Sequence, residues 1–176
     1  PDEFFEKVYQ YLRYDLKFND NEKYSFINEL PIRLKNNLLI NMHKKVIQNF
    51  RFLRENPGEF TSKFVYMMKP LLMYHQEYII TEGEFLEEVI FVRKGVITIN
   101  LGKYYEECKL MEIKSYEHFG DILVLSNLVC PVTIKIGSKV CEILVIKKYD
   151  ILELASDFPE SIEKNFLVSS YNYSSL

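Results

Sequence analysis

Between residues 71 and 146 the chain is a succession of short apolar runs rich in β-branched and aromatic residues, almost every one closed by glycine, a charged pair or a polar turn. Residues 71–74, 77–80, 89–92, 96–99 and 109–113 have this character, and none is long enough for a packed helix. Val132, Ile134 and Ile136 then alternate with Thr133 and Lys135, and a long apolar run follows over 140–146 after the Gly137-Ser138 turn. Arg93-Lys94-Gly95 reads as a hairpin joining two of the runs. A middle built this way can only become a sheet of about eight strands closed on itself or covered by helices.

Helical periodicity brackets that middle on both sides. Phe4, Phe5, Val8, Tyr11 and Leu12 predict a first helix over 4–17. A polar joint at 18–21 follows, and Leu30-Pro31 opens a longer helix over 30–50, with proline suited to its first turn. Leu34, Leu38, Leu39, Met42, Val46, Ile47 and Phe50 form its apolar face, and Arg33, Lys35, Asn36, Lys44 and Lys45 its polar one. Asn56-Pro57-Gly58 is a turn, after which residues 60–68 read as a short helix. At the far end Ile151, Leu152, Ala155 and Phe158 line one helix, and Ile162, Phe166 and Leu167 another that Pro159 restarts. The expected class is α+β, with an antiparallel sheet system flanked by helices. Because the chain opens on Pro1-Asp2 without methionine, it reads as an excised part of a longer polypeptide.

Composition narrows the function classes. A net charge of -3 supplies no basic field for nucleic acid, and no apolar run approaches the roughly 20 residues of a membrane helix, so a soluble piece is expected. Cys108, Cys130 and Cys141 are odd in number, lack C-x-x-C spacing and sit in strand-like contexts, so they read as buried reduced thiols of a cytosolic protein. His43, His75 and His118 are far apart with no carboxylate or cysteine at ligand spacing, which argues against a metal site. Glu82, Glu84, Glu87 and Glu88 read as a solvated turn and not as a paired-carboxylate acid/base site. No serine or cysteine has an activating base at hand and no phosphate-binding glycine loop occurs, so no catalytic residue is assigned and the chain is not expected to be an enzyme.

Glu82-Gly83-Glu84, the run 91–97 and above all Phe119-Gly120-Asp121-Ile122, in this order, resemble the cyclic-nucleotide-binding domain over residues 50–166. The preceding helices, with Leu30-Pro31-Ile32-Arg33-Leu34 opening the longest, resemble the C-linker of cyclic-nucleotide-gated, hyperpolarisation-activated and ether-à-go-go-type channels. The resemblance implies a C-linker over 1–50, an antiparallel β-roll with C-terminal helices over 51–176, and a place in a voltage-gated, potassium-type channel. It implies neighbouring subunits of a homotetramer and the pore domain of the same polypeptide as partners, no nucleic acid, and the location of a cytosolic domain of a membrane protein.

The nucleotide pocket that the resemblance implies comprises Phe119, Gly120, Asp121, Ile122, Cys130, Pro131, Val132 and Thr133. Gly120 would let backbone N–H groups approach a phosphate. Asp121 would accept from the ribose 2′-OH in place of the family's longer Glu. Cys130 and Pro131, however, stand where the phosphate-binding Arg and its following Ser or Thr are expected, and residues 127–132 contain no basic side chain. Lys135 is the nearest substitute, its orientation toward the pocket left open. cAMP or cGMP is therefore expected to bind weakly at most. Tyr171, Asn172 and Tyr173 resemble the aromatic-Asn-aliphatic built-in ligand of ether-à-go-go-type channels, although Tyr173 stands where that family has Leu; the alternative is a frayed helix end. The rival readings are a true cAMP or cGMP sensor that has replaced the arginine, and a non-channel scaffold or kinase-regulatory domain with the same roll.

Overall fold

The computed structural model describes residues 29–102 and 108–163. The helix expected over 4–17, the positions Phe166 and Leu167, and the tail residues Tyr171, Asn172 and Tyr173 lie outside the described residues.

The strands β1 (Lys69–Tyr74), β2 (Tyr78–Ile80), β3 (Glu88–Lys94), β4 (Val96–Leu101), β5 (Cys108–Lys114), β6 (His118–Phe119), β7 (Thr133–Ile136) and β8 (Val140–Lys147) form two four-stranded sheets. One has the order β1-β8-β3-β6 and the other β2-β7-β4-β5, with every pairing antiparallel. Ile90, Val92, Ile143 and Val145 of the first sheet meet Ile80, Ile97, Ile99, Ile134 and Ile136 of the second, which fills the space between the sheets. The alternate residues of β3 and β8, namely Val89, Phe91, Leu144 and Ile146, face a second apolar core built with the helices. Burial on both faces is why 89–92 and 143–146 are continuous apolar runs and not alternating ones.

Gly95 is a sheet-switching corner and not the hairpin tip expected from Arg93-Lys94-Gly95, because β3 and β4 belong to different sheets. Its φ is 107°, and a Cβ there would lie 2.9 Å from the Val140 carbonyl oxygen, so only glycine fits. The Gly137-Ser138 turn makes the return crossing beside it. There the Ser138 hydroxyl accepts from the Val96 N–H at 3.0 Å and donates to the Val140 carbonyl at 2.9 Å.

Seven helices are described: α1 (Ile32–Met42), α2 (Lys44–Asn49), α3 (Arg51–Arg54), α4 (Gly58–Met67), α5 (Asp121–Ser126), α6 (Lys148–Asp157) and α7 (Pro159–Ile162). The single helix expected over 30–50 is broken at His43, and Phe50 is extended. Phe50 is driven into the core, with its ring edge-on to Phe91 at 5.5 Å and to Tyr116 at 5.7 Å, and that packing overrides continuation of the helix. Leu39, Val46 and Phe50 are buried as expected, but Leu34 and Met42 are exposed together with Ile32. In α6 the buried positions are Ile151 and Leu154; Leu152, expected on that face, points to solvent. Pro159 occupies the first turn of α7, where its missing N–H costs nothing.

Candidate functional site

The expected pocket residues come from three neighbouring elements: β6, α5 with its lead-in, and the segment entering β7. Phe119 ends β6, and Gly120 follows in the left-handed conformation with φ of 98°, turning the chain into α5. The bare face of Gly120 is already occupied. A Cβ on Gly120 would fall 2.3 Å from Leu86 Cδ2, so this glycine serves close packing by Leu86, a role that the motif alone did not reveal. Asp121 is 4% exposed, and its Oδ2 lies 3.6 Å from Nε2 of His118, whose ring stacks on Phe91 at 5.4 Å. The side chain expected to meet a ribose hydroxyl is thus packed beside an imidazole of the β6 strand. Ile122 is half-buried, and α5 ends at Asn127 in the left-handed conformation.

Cys130 is fully buried, at 0% exposure, within the apolar filling of the roll. Its N–H donates to the Glu84 carbonyl and its own carbonyl accepts from the Gly83 N–H, each at 2.8 Å, so the Glu82-Gly83-Glu84 turn clasps this segment backbone to backbone. An antiparallel bridge between Phe85 and Val129 extends the clasp. The Cys130 thiol donates to the Val132 carbonyl at 3.2 Å, and burial pushes its pKa up. Pro131 is exposed and Val132 half-buried.

Thr133 is fully buried. Its hydroxyl accepts from the Glu82 N–H at 3.1 Å and donates to the Gly102 carbonyl at 2.9 Å, while Glu82 Oε2 accepts from the Gly102 N–H at 3.0 Å. Glu82 therefore ties two loops together, unlike Glu84 and Glu87, which are exposed as a solvated turn would be. No short sequence motif joins Glu82 to Thr133 and Gly102, so this tie was invisible before folding. Lys135 stands directly opposite Thr98 and Tyr78 across the sheet, on the face away from Ile134 and Ile136, with its ammonium 5.8 Å from the Tyr78 ring centre. It does not turn into the roll, as a substitute for the expected arginine would.

Of the cysteines, Cys130 and Cys141 are buried as expected, but Cys108 is exposed at the start of an edge strand. No cluster of three or more metal-ligating side chains exists among the described residues. The large open cleft, about 1520 Å³, lies away from the roll interior, between α1, α2 and α4 on one side and the ends of β3 and β8 with α6 on the other.

Two sheets closed into a roll, a glycine turn into a short helix on its flank, and helices before and after define the α+β roll of the cyclic-nucleotide-binding fold. Comparison with solved structures bears this out: the regulatory domain of Toxoplasma gondii PKA, co-crystallised with cAMP, superposes with a TM-score of 0.64 at 13% identity, over 78% of this chain and 51% of that one. In sequence the chain is similar to the potassium channel KOR1 of Oryza sativa subsp. japonica, 20% identical over 135 residues, which is 76% of this chain and 16% of the channel. No protein-family model matches. In sequence the chain thus resembles part of a potassium channel, spanning only 16% of that relative's length.

Proposed function

We propose that the chain is the cytosolic gating-regulatory module of a tetrameric, voltage-gated, potassium-type channel, non-enzymatic, with a roll that no longer recognises a cyclic monophosphate. The observation that carries this reading is Cys130, a fully buried thiol hydrogen-bonded to its own segment where a phosphate-pairing arginine is expected. A hydrogen bond to a charged group contributes about 1.5–3 kcal/mol, so its loss weakens binding by about ten- to a hundredfold. Gly120 filled by Leu86 and Asp121 turned to His118 remove two further contacts. Similarity to a potassium channel supports the channel setting.

In this reading the helices before the roll form the C-linker, and the exposed Ile32, Leu34 and Met42 pack against a neighbouring subunit of the ring. Movement of α6 and α7 against the roll changes the strain passed toward the pore, and a ligand biases gating only through its difference in affinity for the two helix positions. The rival is a true cyclic-nucleotide sensor, favoured by the structural likeness to a cAMP-bound regulatory domain.

Inside-out patch recording of the full-length protein separates the two. The proposal predicts a voltage-dependent potassium current whose activation is unmoved by millimolar cAMP or cGMP. A shift on adding either nucleotide favours the sensor, and the absence of any current from surface-expressed protein defeats the channel assignment.

A further inference from the structure

Among the described residues each of the two sheets presents two edge strands, and one of the four is both long and without a strand or helix laid against its outer side. β2 and β6 have three and two residues, and β1 carries Lys69 and Pro70, a common way of blunting an edge. β5 runs for seven residues at the end of the order β2-β7-β4-β5, and everything in it except Ile113 is exposed. Leu110 and Met111 stand 53% and 51% open to solvent, and Leu101 of the adjoining strand adds to the patch.

A bulge sets the phase of this edge. Met111 pairs with Ile99 and Lys109 with Asn100, which leaves Leu110 as an extra residue. Lys109 and Glu112 are three apart, a spacing that places residues on opposite faces of a regular strand. Their β4 partners Asn100 and Thr98 are two apart, so the bulge returns both to one face, and they form an ion pair there. The pairing phase is restored along with the face: Lys109 and Glu112 present their backbone groups in the same sense, as do Cys108 and Ile113.

We infer that β5 is a self-association edge whose occupant is β5 of a second copy of this chain. An antiparallel pairing about a twofold axis between Leu110 and Met111 sets Leu110 of each copy opposite Met111 of the other. It also sets each Lys109 opposite Glu112, and each Cys108 opposite Ile113. The flanking pairs, Lys109 with Glu112 and Cys108 with Ile113, agree in phase because of the bulge; a regular strand could not pair with itself in this register. The two charge pairs are complementary by symmetry, the apolar pair lies at the centre, and the contact is isologous and closes as a dimer. This inference does not depend on the channel reading.

Sedimentation equilibrium of the 176-residue chain from micromolar to millimolar concentration tests it. Dimer is expected, and Lys109→Glu or Glu112→Lys alone should weaken it about tenfold or more, because each places two like-charge pairs across the axis. The double variant Lys109→Glu/Glu112→Lys should recover association. An equimolar mixture of the two single variants should associate more tightly than either alone, since the register pairs opposite charges only between them. A chain that stays monomeric throughout, an association that neither variant weakens, or a mixture no tighter than its components overturns the proposal. Unchanged circular dichroism of the variants keeps folding out of the comparison.

Discussion

Single residues decide the chemistry of the candidate site, and the two kinds of cysteine illustrate how. Cys130 and Cys141 are buried, and burial pushes the Cys141 thiol up to about 11 and Cys130 above its ordinary value. A thiol reacts as its thiolate, so at pH 8 only about a thousandth of Cys141 is reactive even before its lack of access is counted. Titration of the native chain with a chromogenic disulfide at pH 8 should show Cys108 alone reacting in the fast phase, with the other two appearing on denaturation. Three equally fast thiols would mean that the roll interior is not packed as described. The buried state of Cys130 and Cys141 was legible from their apolar surroundings, whereas Cys108 resembled them in sequence and differs because it opens β5, which among the described residues is an edge strand. The expectation that Cys130 stands at the arginine position came from counting onward from Phe119. That Leu86 fills the space beside Gly120, and that Asp121 lies against His118, depend on how β3, β6 and α5 come together and left no trace in local spacing.

At the scale of elements, strong periodicity was readable and breaks in it were not. Seven strands and the closing helices fall where alternation and apolar runs place them, but β6 has two residues and exists only because β3 offers an edge to pair with. The extended conformation of Phe50 arises from ring packing that a helical wheel does not contain. Helix-to-helix attachment is equally tertiary: Lys63 of α4 reaches Asp157 at 2.5 Å and Glu153 at 2.9 Å on α6. The hydrogen bond to Asp157, then that to Glu153, raises the Lys63 pKa. A raised folded-state value means that the latch contributes fully below the unfolded lysine pKa of about 10.4 and is lost as pH rises through the folded value above it. A partly exposed pair of this kind contributes about 0.5–1 kcal/mol. Lys63→Met should therefore lower the melting temperature by about 2–3 °C at pH 7, with the difference fading as the pH rises beyond the ordinary lysine pKa of about 10.4. A difference that persists undiminished at high pH would assign the effect to the methylene stem and not to the charge.

For the whole molecule, the roll with helices before and after was readable as a class because the order of elements and the glycine-bearing turns agree with one another, and comparison with solved structures carries the same fold. Less was readable about how the helices meet the roll. Residues on both sides of position 50 share one core, in which Val46, Phe50 and Leu53 pack with Phe60, Phe64, Leu144, Ile146 and Ile151. In the proposed gating role, this shared core is the route by which a displacement of α6 would reach the helices that precede the roll. The central claim is that this machinery persists without recognition of a cyclic monophosphate. Calorimetric titration of the chain with cAMP and with cGMP to millimolar concentration tests it most directly. The account predicts no saturable heat with either nucleotide; a micromolar dissociation constant with one of them would contradict it and make the chain a sensor whose phosphate partner is a group other than an arginine at position 130.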